Sequence, residues 1–288
     1  MRLVYLGTPA MAVPPLRALI DAGHDVALVV TKPDKRRGRG AALAPSPVKV
    51  TAGDLGLPVT DRIDDILDLD RPAELGVVVA FGRLIKPHVL EHLPMVNLHF
   101  SLLPRWRGAA PVERAILAGD ATTGVAVMAV EEGLDTGAIY DEAEVPIDPD
   151  ETADELRSRL VDVGTDLLLG VLDRGRTVQR VQDGEGTYAH KIEPGELELD
   201  WRRPADELQR VVRVGPAWTT WRGRRLKVLR SSVAPDRGLA PAGLDGAAVG
   251  TGDGTLVLVE VQPEGRARLP AEAWVRGARL GPGDHLGS

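Results

Sequence analysis

Cysteine is absent from this chain of 288 residues. Its absence excludes disulfide bridges, thiolate zinc sites and a cysteine nucleophile. Aromatic residues are scarce, at 3% of the chain. No apolar run approaches the roughly 18 residues that a membrane span needs, and the N-terminus has no signal-peptide pattern. We therefore expect a cytoplasmic protein without a membrane partner.

The chain has enough apolar residues, 43%, to build a core as one large domain or two smaller ones. Its net charge of −7 argues against general attraction to nucleic acid, but the charge is uneven. Between residues 31 and 49, six Lys or Arg face one Asp, which makes this stretch +5 and the remainder −12. Glycines and prolines in the stretch predict a long loop. Either a solvated charged loop or a phosphate-binding loop fits this pattern.

The N-terminal half has the pattern of a parallel sheet. Residues 2–6 and 26–31 form apolar strands on either side of a helix that begins at Pro14 and Pro15, which is a β-α-β start. The apolar run 76–80 is typical of a central parallel strand. We predict an α/β fold with a doubly wound, mostly parallel, Rossmann-like sheet. The first turn lacks G-x-G-x-x-G, so no dinucleotide fingerprint is present.

One strand carries polar groups at its end. Over 96–101, apolar residues alternate with Asn97, His99 and Ser101, so the three polar side chains share one face. Asn97 and His99 should lie roughly 6.5–7 Å apart between Cα atoms. Carboxyl ends of strands are where open α/β sheets keep their sites. This stretch alone also fits a half-exposed strand whose polar face meets water.

Further along, Asp135 lies in a glycine-bounded turn, 131–137, between two predicted strands. Alone, an aspartate there is most simply a turn residue. Residues 181–200 lack a regular period and predict a linker. From Arg202 to Arg230, nine Lys or Arg face two acidic residues, a local charge of +7. Short strands with glycine turns after residue 201 predict a small OB-like β-barrel domain.

Taken together, Asn97-x-His99, Ser101-Leu102-Leu103-Pro104 and the loop around Asp135 resemble the folate-dependent formyltransferases. The run Leu-Pro-Arg-Trp-Arg-Gly-Ala-Ala-Pro at 103–111 and the Gly-Arg-Gly at 38–40 are most similar to the members that act on initiator tRNA. This resemblance implies a formyltransferase catalytic domain over 1–180, a linker over 181–200, and a tRNA-contacting barrel domain over 201–288. A monomer is expected.

The reaction implied by the resemblance moves a formyl group from 10-formyltetrahydrofolate to the α-amine of methionyl initiator tRNA, for translation initiation. Such a transfer passes through a tetrahedral intermediate, which needs hydrogen-bond donors to an oxyanion and a group that takes up a proton. Asn97 and His99 can supply the donors. Asp135 can orient His99 and help remove the proton of the attacking amine. No metal is required.

The resemblance also implies two binding surfaces. The predicted folate-binding residues are Ser101, Leu102, Leu103, Pro104, Phe81, Leu84 and Ile85. The predicted tRNA-binding residues are Lys35, Arg36, Arg37, Arg39, Lys49, Arg105 and Arg107. Arg39 matches the loop arginine of the family, so we expect Arg39→Ala to weaken activity on charged tRNA with folate affinity nearly unchanged.

Two alternatives remain open from the sequence. One is a formyltransferase for a small amine, such as an amino sugar or glycinamide ribonucleotide, which would not need two basic surfaces. The other is a non-catalytic RNA-binding protein on the same scaffold, against which the intact Asn97, His99 and Asp135 argue.

Overall fold

A computed structural model describes residues 1–37, 42–177, 179–281 and 283–287, with only the backbone of Arg37 and Ala42. The chain divides into two compact units. The first unit contains Met1–Pro111, Thr122–Pro146 and Arg157–His190. The second contains Val112–Ala121, Ile147–Leu156 and Lys191–Ser288. Two short segments that precede residue 157 therefore belong to the second unit.

Helices and strands alternate through the N-terminal part of the chain. In order they are β1 (Arg2–Gly7), α1 (Val13–Asp21), β2 (Asp25–Val30), β3 (Lys35–Arg37), β4 (Ala42–Ala44), α2 (Pro47–Asp54), β5 (Val59–Thr60), β6 (Leu75–Val79), α3 (Pro87–His92), β7 (Met95–His99), β8 (Arg107–Gly108), α4 (Pro111–Ala118), β9 (Thr122–Ala129), β10 (Ile139–Pro146), α5 (Ala153–Asp173) and β11 (Tyr188–Ala189).

The C-terminal part is richer in strands. Its elements are α6 (Ala205–Val214), β12 (Ala217–Trp221), β13 (Arg224–Ala234), β14 (Leu244–Asp245), β15 (Ala248–Gly250), β16 (Thr255–Pro263), β17 (Leu269–Pro270) and α7 (Ala271–Ala278). Short 3-10 helices occur at Ala10–Ala12, Ile63–Ile66 and Pro194–Leu197.

The main sheet of the first unit has the order β10-β9-β7-β6-β1-β2-β5. Strands β5, β2, β1, β6 and β7 run parallel, whereas β9 and β10 are antiparallel at one edge. Every residue of β6 is buried, as expected for a strand covered on both faces. This arrangement confirms the predicted Rossmann-like α/β fold.

The register of the central strands determines where the site is located. Val78 of β6 is paired with Asn97 of β7, and Val79 with Leu98. Because the two strands are parallel, the segments that follow them, at 80–85 and 100–106, leave the sheet at the same edge. Phe81 is buried there, 2% exposed, in a core with residues of β1, β2 and β7.

The second unit is built on an antiparallel sheet in the order β12-β13-β16-β15-β14, with β17 paired to β16. Strands β12 and β13 form a tight hairpin at Arg222 and Gly223, both with positive φ. Helix α6 packs its buried side chains, including Leu208 and Val212, into the core of this unit. The sheet is consistent with the predicted small barrel domain.

Local structure differs from the sequence prediction in two places. The acidic stretch 61–70 predicts a surface helix, but only the 3-10 turn Ile63–Ile66 is present there. Thr60 is bonded through its hydroxyl to Asp65 and to the backbone of Arg62, and such local bonds compete with a helix. The basic stretch expected to be a long loop contains the antiparallel pair β3 and β4.

The predicted linker 181–200 contains regular structure as well. Strand β11 pairs in parallel with β8, and the compact units divide after His190. The boundaries at residues 180 and 200 stay a prediction. None of the helices in the described ranges has the length and apolar character needed to cross a membrane.

Candidate active site

Three polar side chains, two from β7 and one from the loop that follows β9, meet beside β7. Asn97 and His99 lie on β7, and Asp135 lies on the loop between β9 and β10. The amide nitrogen of Asn97 is 3.4 Å from Oδ1 of Asp135, and Nδ1 of His99 is 3.6 Å from Oδ2. Each carboxylate oxygen therefore faces one of the two β7 side chains. These distances are long for hydrogen bonds, as is common in catalytic sites without substrate.

His99 is held in one orientation by the backbone. Its ring is buried, with 6% of the side chain exposed, and Nε2 lies 2.9 Å from the carbonyl oxygen of Trp106. Because a carbonyl only accepts hydrogen bonds, Nε2 is the protonated nitrogen that donates to it. Nδ1 is left facing Asp135, so it is the ring atom placed to exchange a proton in the site.

Hydrogen bonds hold both the carboxylate and the backbone of Asp135. The N–H of Gly108 donates to Oδ2 at 2.8 Å. The side-chain amide of Gln182 donates to the carbonyl oxygens of Asp135 and Gly137, both at 2.9 Å. The residue has a φ of +52°, in the left-handed region that aspartate tolerates better than most residues. The site thus holds its carboxylate in an uncommon backbone conformation.

The loop after β7 supplies the backbone groups of the site. Trp106 has a φ of +61°, which is unfavourable for a bulky side chain, and its carbonyl is the acceptor for His99. Ser101 is fully buried, and its hydroxyl donates to the carbonyl of Arg105 at 2.6 Å. The Leu103–Pro104 peptide in this loop is cis. These contacts hold the 101–108 segment against the end of the strand.

A segment that the sequence prediction treated as a linker braces this loop. The backbone N–H of Trp106 donates to the hydroxyl of Thr187 at 2.9 Å, and the N–H of Thr187 donates to the carbonyl of Pro104 at 3.2 Å. Gln182 contacts the Asp135 loop from the same segment. Neither Gln182 nor Thr187 was predicted, because the segment lacks any periodic pattern and the partners are far away in sequence.

The predicted folate-binding residues have different environments. Leu103 is buried against Ala126, Met128 and Ile139, and Phe81 is buried in the core. Leu102, Pro104 and Ile85 are half-buried, whereas Leu84 is 78% exposed. The hydroxyl of Ser101 donates a hydrogen bond within its own loop. Ser101 would therefore contribute to a folate-binding surface by holding that loop in place. The assignment of this group to folate stays a prediction.

The predicted tRNA-binding residues also divide by environment. Lys35 and Arg36 are exposed on β3, and the guanidinium of Arg105 stacks on the ring of Trp106 at 4.5 Å. Lys49 pairs with Asp34 at 2.8 Å. Arg107 donates through Nε and Nη2 to the side-chain oxygen of Gln182, at 3.0 and 2.6 Å.

Of the other two predicted tRNA-binding residues, Arg37 is described only as a backbone position on β3, and Arg39 lies outside the described residues. Strands β1 and β6 lie between β2, which leads into the β3–β4 hairpin, and β7 of the site. The hairpin therefore leaves the sheet at the same edge as the site but three strand positions away, on the order of 14 Å at the usual strand spacing.

The arrangement suits acyl transfer to an amine. Asn97 can donate from its amide, His99 can donate or receive a proton at Nδ1, and the carboxylate of Asp135 is an acceptor beside both. A carbonyl carbon placed among them would meet donors for a developing oxyanion and a base for the proton that the nucleophile loses. No cluster of three or more His, Asp or Glu suited to a metal ion occurs in the part of the chain that the structure describes.

Comparison with known proteins gives the family. The family model "Formyl transferase" matches residues 1–172, and "Formyl transferase, C-terminal domain" matches residues 191–279. The methionyl-tRNA formyltransferase of Thermus thermophilus is 46% identical over 304 residues, which covers 100% of this chain and 99% of the relative. That of Symbiobacterium thermophilum is 44% identical over 301 residues, which covers 96% of this chain and 92% of the relative.

A solved structure supports the same fold. The sugar 3N-formyl transferase WlaRD, determined in the presence of dTDP and 5-N-formyl-THF, has a TM-score of 0.67 and covers 93% of this chain and 99% of its own. Its identity of 18% makes it similar in fold alone. The full-length relatives are similar to this chain in sequence as well. The chain belongs to the formyl transferase family, among the methionyl-tRNA formyltransferases.

Proposed function

We propose that this protein transfers the formyl group of 10-formyltetrahydrofolate to the α-amine of methionine on charged initiator tRNA. The observation that carries the proposal is that Asn97 Nδ2 and His99 Nδ1 lie 3.4 and 3.6 Å from the two carboxylate oxygens of Asp135. Full-length similarity to methionyl-tRNA formyltransferases supports the choice of amine. A reaction in translation initiation supports a cytoplasmic location, and a monomer remains our expectation.

The chemistry follows from the groups present. The α-amine attacks the formyl carbon, a C–N bond forms, and the carbonyl oxygen becomes an oxyanion. Asn97 Nδ2 and a protonated Nδ1 of His99 donate to that oxygen. Asp135 takes the proton that the amine loses. The bond from carbon to N10 then breaks, N10 gains a proton, and formyl-methionyl-tRNA and tetrahydrofolate are released.

Two groups of cations support binding of a nucleic acid. Near the β3–β4 hairpin, burial together with the neighbouring charges of Lys35 and Arg83 lowers the pKa of Lys32 below its ordinary value, so an anion bound there would relieve repulsion. In the second unit, Arg225 and Lys227 line an open groove of about 340 Å³. The guanidinium of Arg225 stacks on Trp218 at 4.0 Å.

The proposed activity is tested by formyl transfer from 10-formyltetrahydrofolate to charged initiator tRNA. Charged elongator tRNA, free methionine and a nucleotide-linked amino sugar serve as competing amines. We expect a clear preference for the initiator tRNA. Equal rates on all four amines would contradict the proposal, and a preference for the amino sugar would establish the small-amine alternative instead.

Loss of the carboxylate provides the second test. Asp135→Asn keeps the size of the side chain but cannot take up a proton, so we expect kcat to fall roughly 100- to 10,000-fold, the usual range for general acid–base catalysis. The affinity for tRNA should change little. Unchanged turnover in this variant would remove Asp135 from the proposed mechanism.

A further inference from the structure

We propose that Gln182 is a positioning residue for Asp135 and that Arg107 holds Gln182 in place. This assignment rests on the proposed formyl transfer and adds a supporting layer to the same site. Gln182 donates to the backbone carbonyls of Asp135 itself and of Gly137, two residues later, which are 47 and 45 residues away in sequence. It acts through Asp135 and is placed away from the reacting atoms themselves.

The contacts of Gln182 leave it one orientation. Its oxygen accepts from Nε and Nη2 of Arg107, and its amide nitrogen donates to the carbonyls of Asp135 and Gly137. A guanidinium only donates and a carbonyl only accepts, so the reversed amide would break all four contacts. Arg107 therefore determines which end of the amide faces the loop. A charged donor pair on the oxygen also polarises the amide and strengthens its N–H donors.

The loop needs such support because of its backbone conformation. Asp135 has a φ of +52°, and residues in this region persist where surrounding contacts hold them. Two of those contacts are hydrogen bonds from a single side chain, Gln182. The other anchor of the carboxylate is the N–H of Gly108, the residue next to Arg107 on β8. One strand thus supports Asp135 directly through Gly108 and indirectly through Arg107.

Both residues are partly shielded from solvent. Arg107 and Gln182 are half-buried, and the guanidinium also lies beside Gly186, where an added Cβ would come within 2.6 Å of it. The sequence predicted Arg107 to bind tRNA. With two of its N–H groups committed to Gln182, the geometry instead points to a role inside the site.

The decisive variant is Gln182→Glu. One carboxylate oxygen keeps the pair with Arg107, but the other replaces the N–H donor and faces two carbonyl oxygens. Asp135 should move away while the fold is retained. We expect kcat to fall about 10- to 100-fold, the effect expected of a displacement near 1 Å, with KM for folate and for tRNA within about twofold of the parent. Gln182→Met, which lacks the repulsion, should also lower kcat.

Gln179→Glu is the matched control. Gln179 lies three residues before Gln182, but its amide donates to the hydroxyl of Tyr140 at 3.0 Å on the exposed surface. We expect parent kinetics from this variant. Arg107→Met separates the two assignments of Arg107: a fall in kcat supports positioning, whereas a rise only in KM for tRNA would support the tRNA-binding prediction and overturn the role of Arg107.

A double-mutant cycle distinguishes positioning from general weakening. If Gln182 acts through the Asp135 carboxylate, Gln182→Glu should have little further effect on kcat in the Asp135→Asn background. Full additivity would contradict the proposal.

The ¹⁵N chemical shifts of the His99 ring give a readout without turnover. The Nδ1 shift should change in Gln182→Glu and not in Gln179→Glu. If the parent is active and Gln182→Glu has the same kcat and the same Nδ1 shift as the parent, this inference is overturned and the proposed function is not. A parent inactive on every amine would overturn the proposed function instead, and the His99 shift would still report on the geometry.

Discussion

At the scale of single residues, the site depends on two residues whose backbone has a conformation that is rare outside glycine. Trp106 and Asp135 both have positive φ, and each such residue costs of order 1–3 kcal/mol. In return, the carbonyl of Trp106 reaches His99, and the carboxylate of Asp135 faces both β7 side chains. Part-buried hydrogen bonds offset the cost, because Ser101 and Gln182 donate to backbone carbonyls of these loops and the hydroxyl of Thr187 accepts from the N–H of Trp106.

Gly137 is the residue where this geometry is most sensitive to an added methyl group. A Cβ there would lie 2.0 Å from the carbonyl oxygen of Ala129, which is backbone and has little room to move. We expect Gly137→Ala to destabilise the protein by about 1–3 kcal/mol, as overpacking does, and to lower kcat because the Asp135 loop shifts. Urea denaturation and steady-state kinetics measure the two effects.

Gly53 provides the contrasting substitution. It lies in α2, and an added Cβ would meet nothing within 4 Å. Gly53→Ala should therefore stabilise the protein by roughly 0.5–1 kcal/mol, because alanine is the better helix residue. If Gly137→Ala and Gly53→Ala behaved alike, the close approach at Ala129 would not be what constrains the loop.

At the scale of elements, the start of α5 is the best-defined helix terminus. Glu155 accepts from the backbone N–H and the hydroxyl of Thr152, and the hydroxyl of Thr152 accepts from the backbone N–H of Glu155 in return, which is the capping box that the Thr-x-x-Glu spacing predicts. Glu155 also pairs with Arg230 of β13, in the same unit. The backbone hydrogen bond of Thr152, followed by the pair with Arg230, lowers the pKa of Glu155 to about 2.

This lowered pKa makes the capping interaction dependent on pH. The folded-state pKa lies below the ordinary value of 4.5, so the stabilisation is fully present above about pH 4.5 and is lost as the pH falls toward 2. Because the side chain is 47% exposed, solvent screening keeps the effect near 1 kcal/mol. Glu155→Gln should therefore lower Tm at pH 7, and the difference from the parent should vanish near pH 2.

Calorimetry of the parent and of Glu155→Gln between pH 7 and pH 2 tests this expectation. Glu91→Gln, at an exposed position of α3, serves as the control and should follow the parent curve. A constant difference in Tm over the whole range would show that Glu155 acts through packing and not through its charge.

At the scale of the whole molecule, ion pairs occupy several of the cations that give residues 202–230 their positive charge. Arg202, Arg203, Arg210, Arg222 and Arg230 each pair with an acidic side chain. The groove lined by Arg225 and Lys227, together with Glu264, has the ring of Trp218 beside its arginine. Such a surface suits a phosphate backbone with an exposed base.

Replacing both groove cations should weaken tRNA binding in a salt-dependent way. Each lost phosphate contact lowers the slope of log Kd against log salt by about one. We expect the double variant Arg225→Ala, Lys227→Ala to bind charged initiator tRNA more weakly, with a slope smaller by about two, and to keep its KM for folate. Filter binding at several salt concentrations measures the slope.

The matched control is Arg202→Ala, which removes an exposed cation of the same unit that is already paired through two hydrogen bonds with Asp200. Its salt slope should equal that of the parent. If the control and the double variant lost the same slope, net charge rather than the groove would govern binding.

Most of the fold follows from local patterns. Continuous apolar runs predict buried parallel strands, and the proline pair of α1 and the Thr152–Glu155 box predict helix starts, because these signals act over a few residues. The Asn97-x-His99 alternation likewise places both side chains on one face of one strand. The prediction of a helix over 61–70 was wrong because hydrogen bonds of the Thr60 side chain favour a turn. Helix propensity does not include such side-chain hydrogen bonds, which compete with the hydrogen bonds of a helix.

What the sequence by itself determined was the type of sheet, the chemical groups of the site and the family. Only the tertiary structure decided how those groups are held. The N–H of Gly108 on the carboxylate, the carbonyl of Trp106 on His99 and the amide of Gln182 under the Asp135 loop join segments between 7 and 47 residues apart. Backbone groups carry no residue identity, and long-range pairing leaves no period in the chain, so these contacts appear only once the strands are assembled.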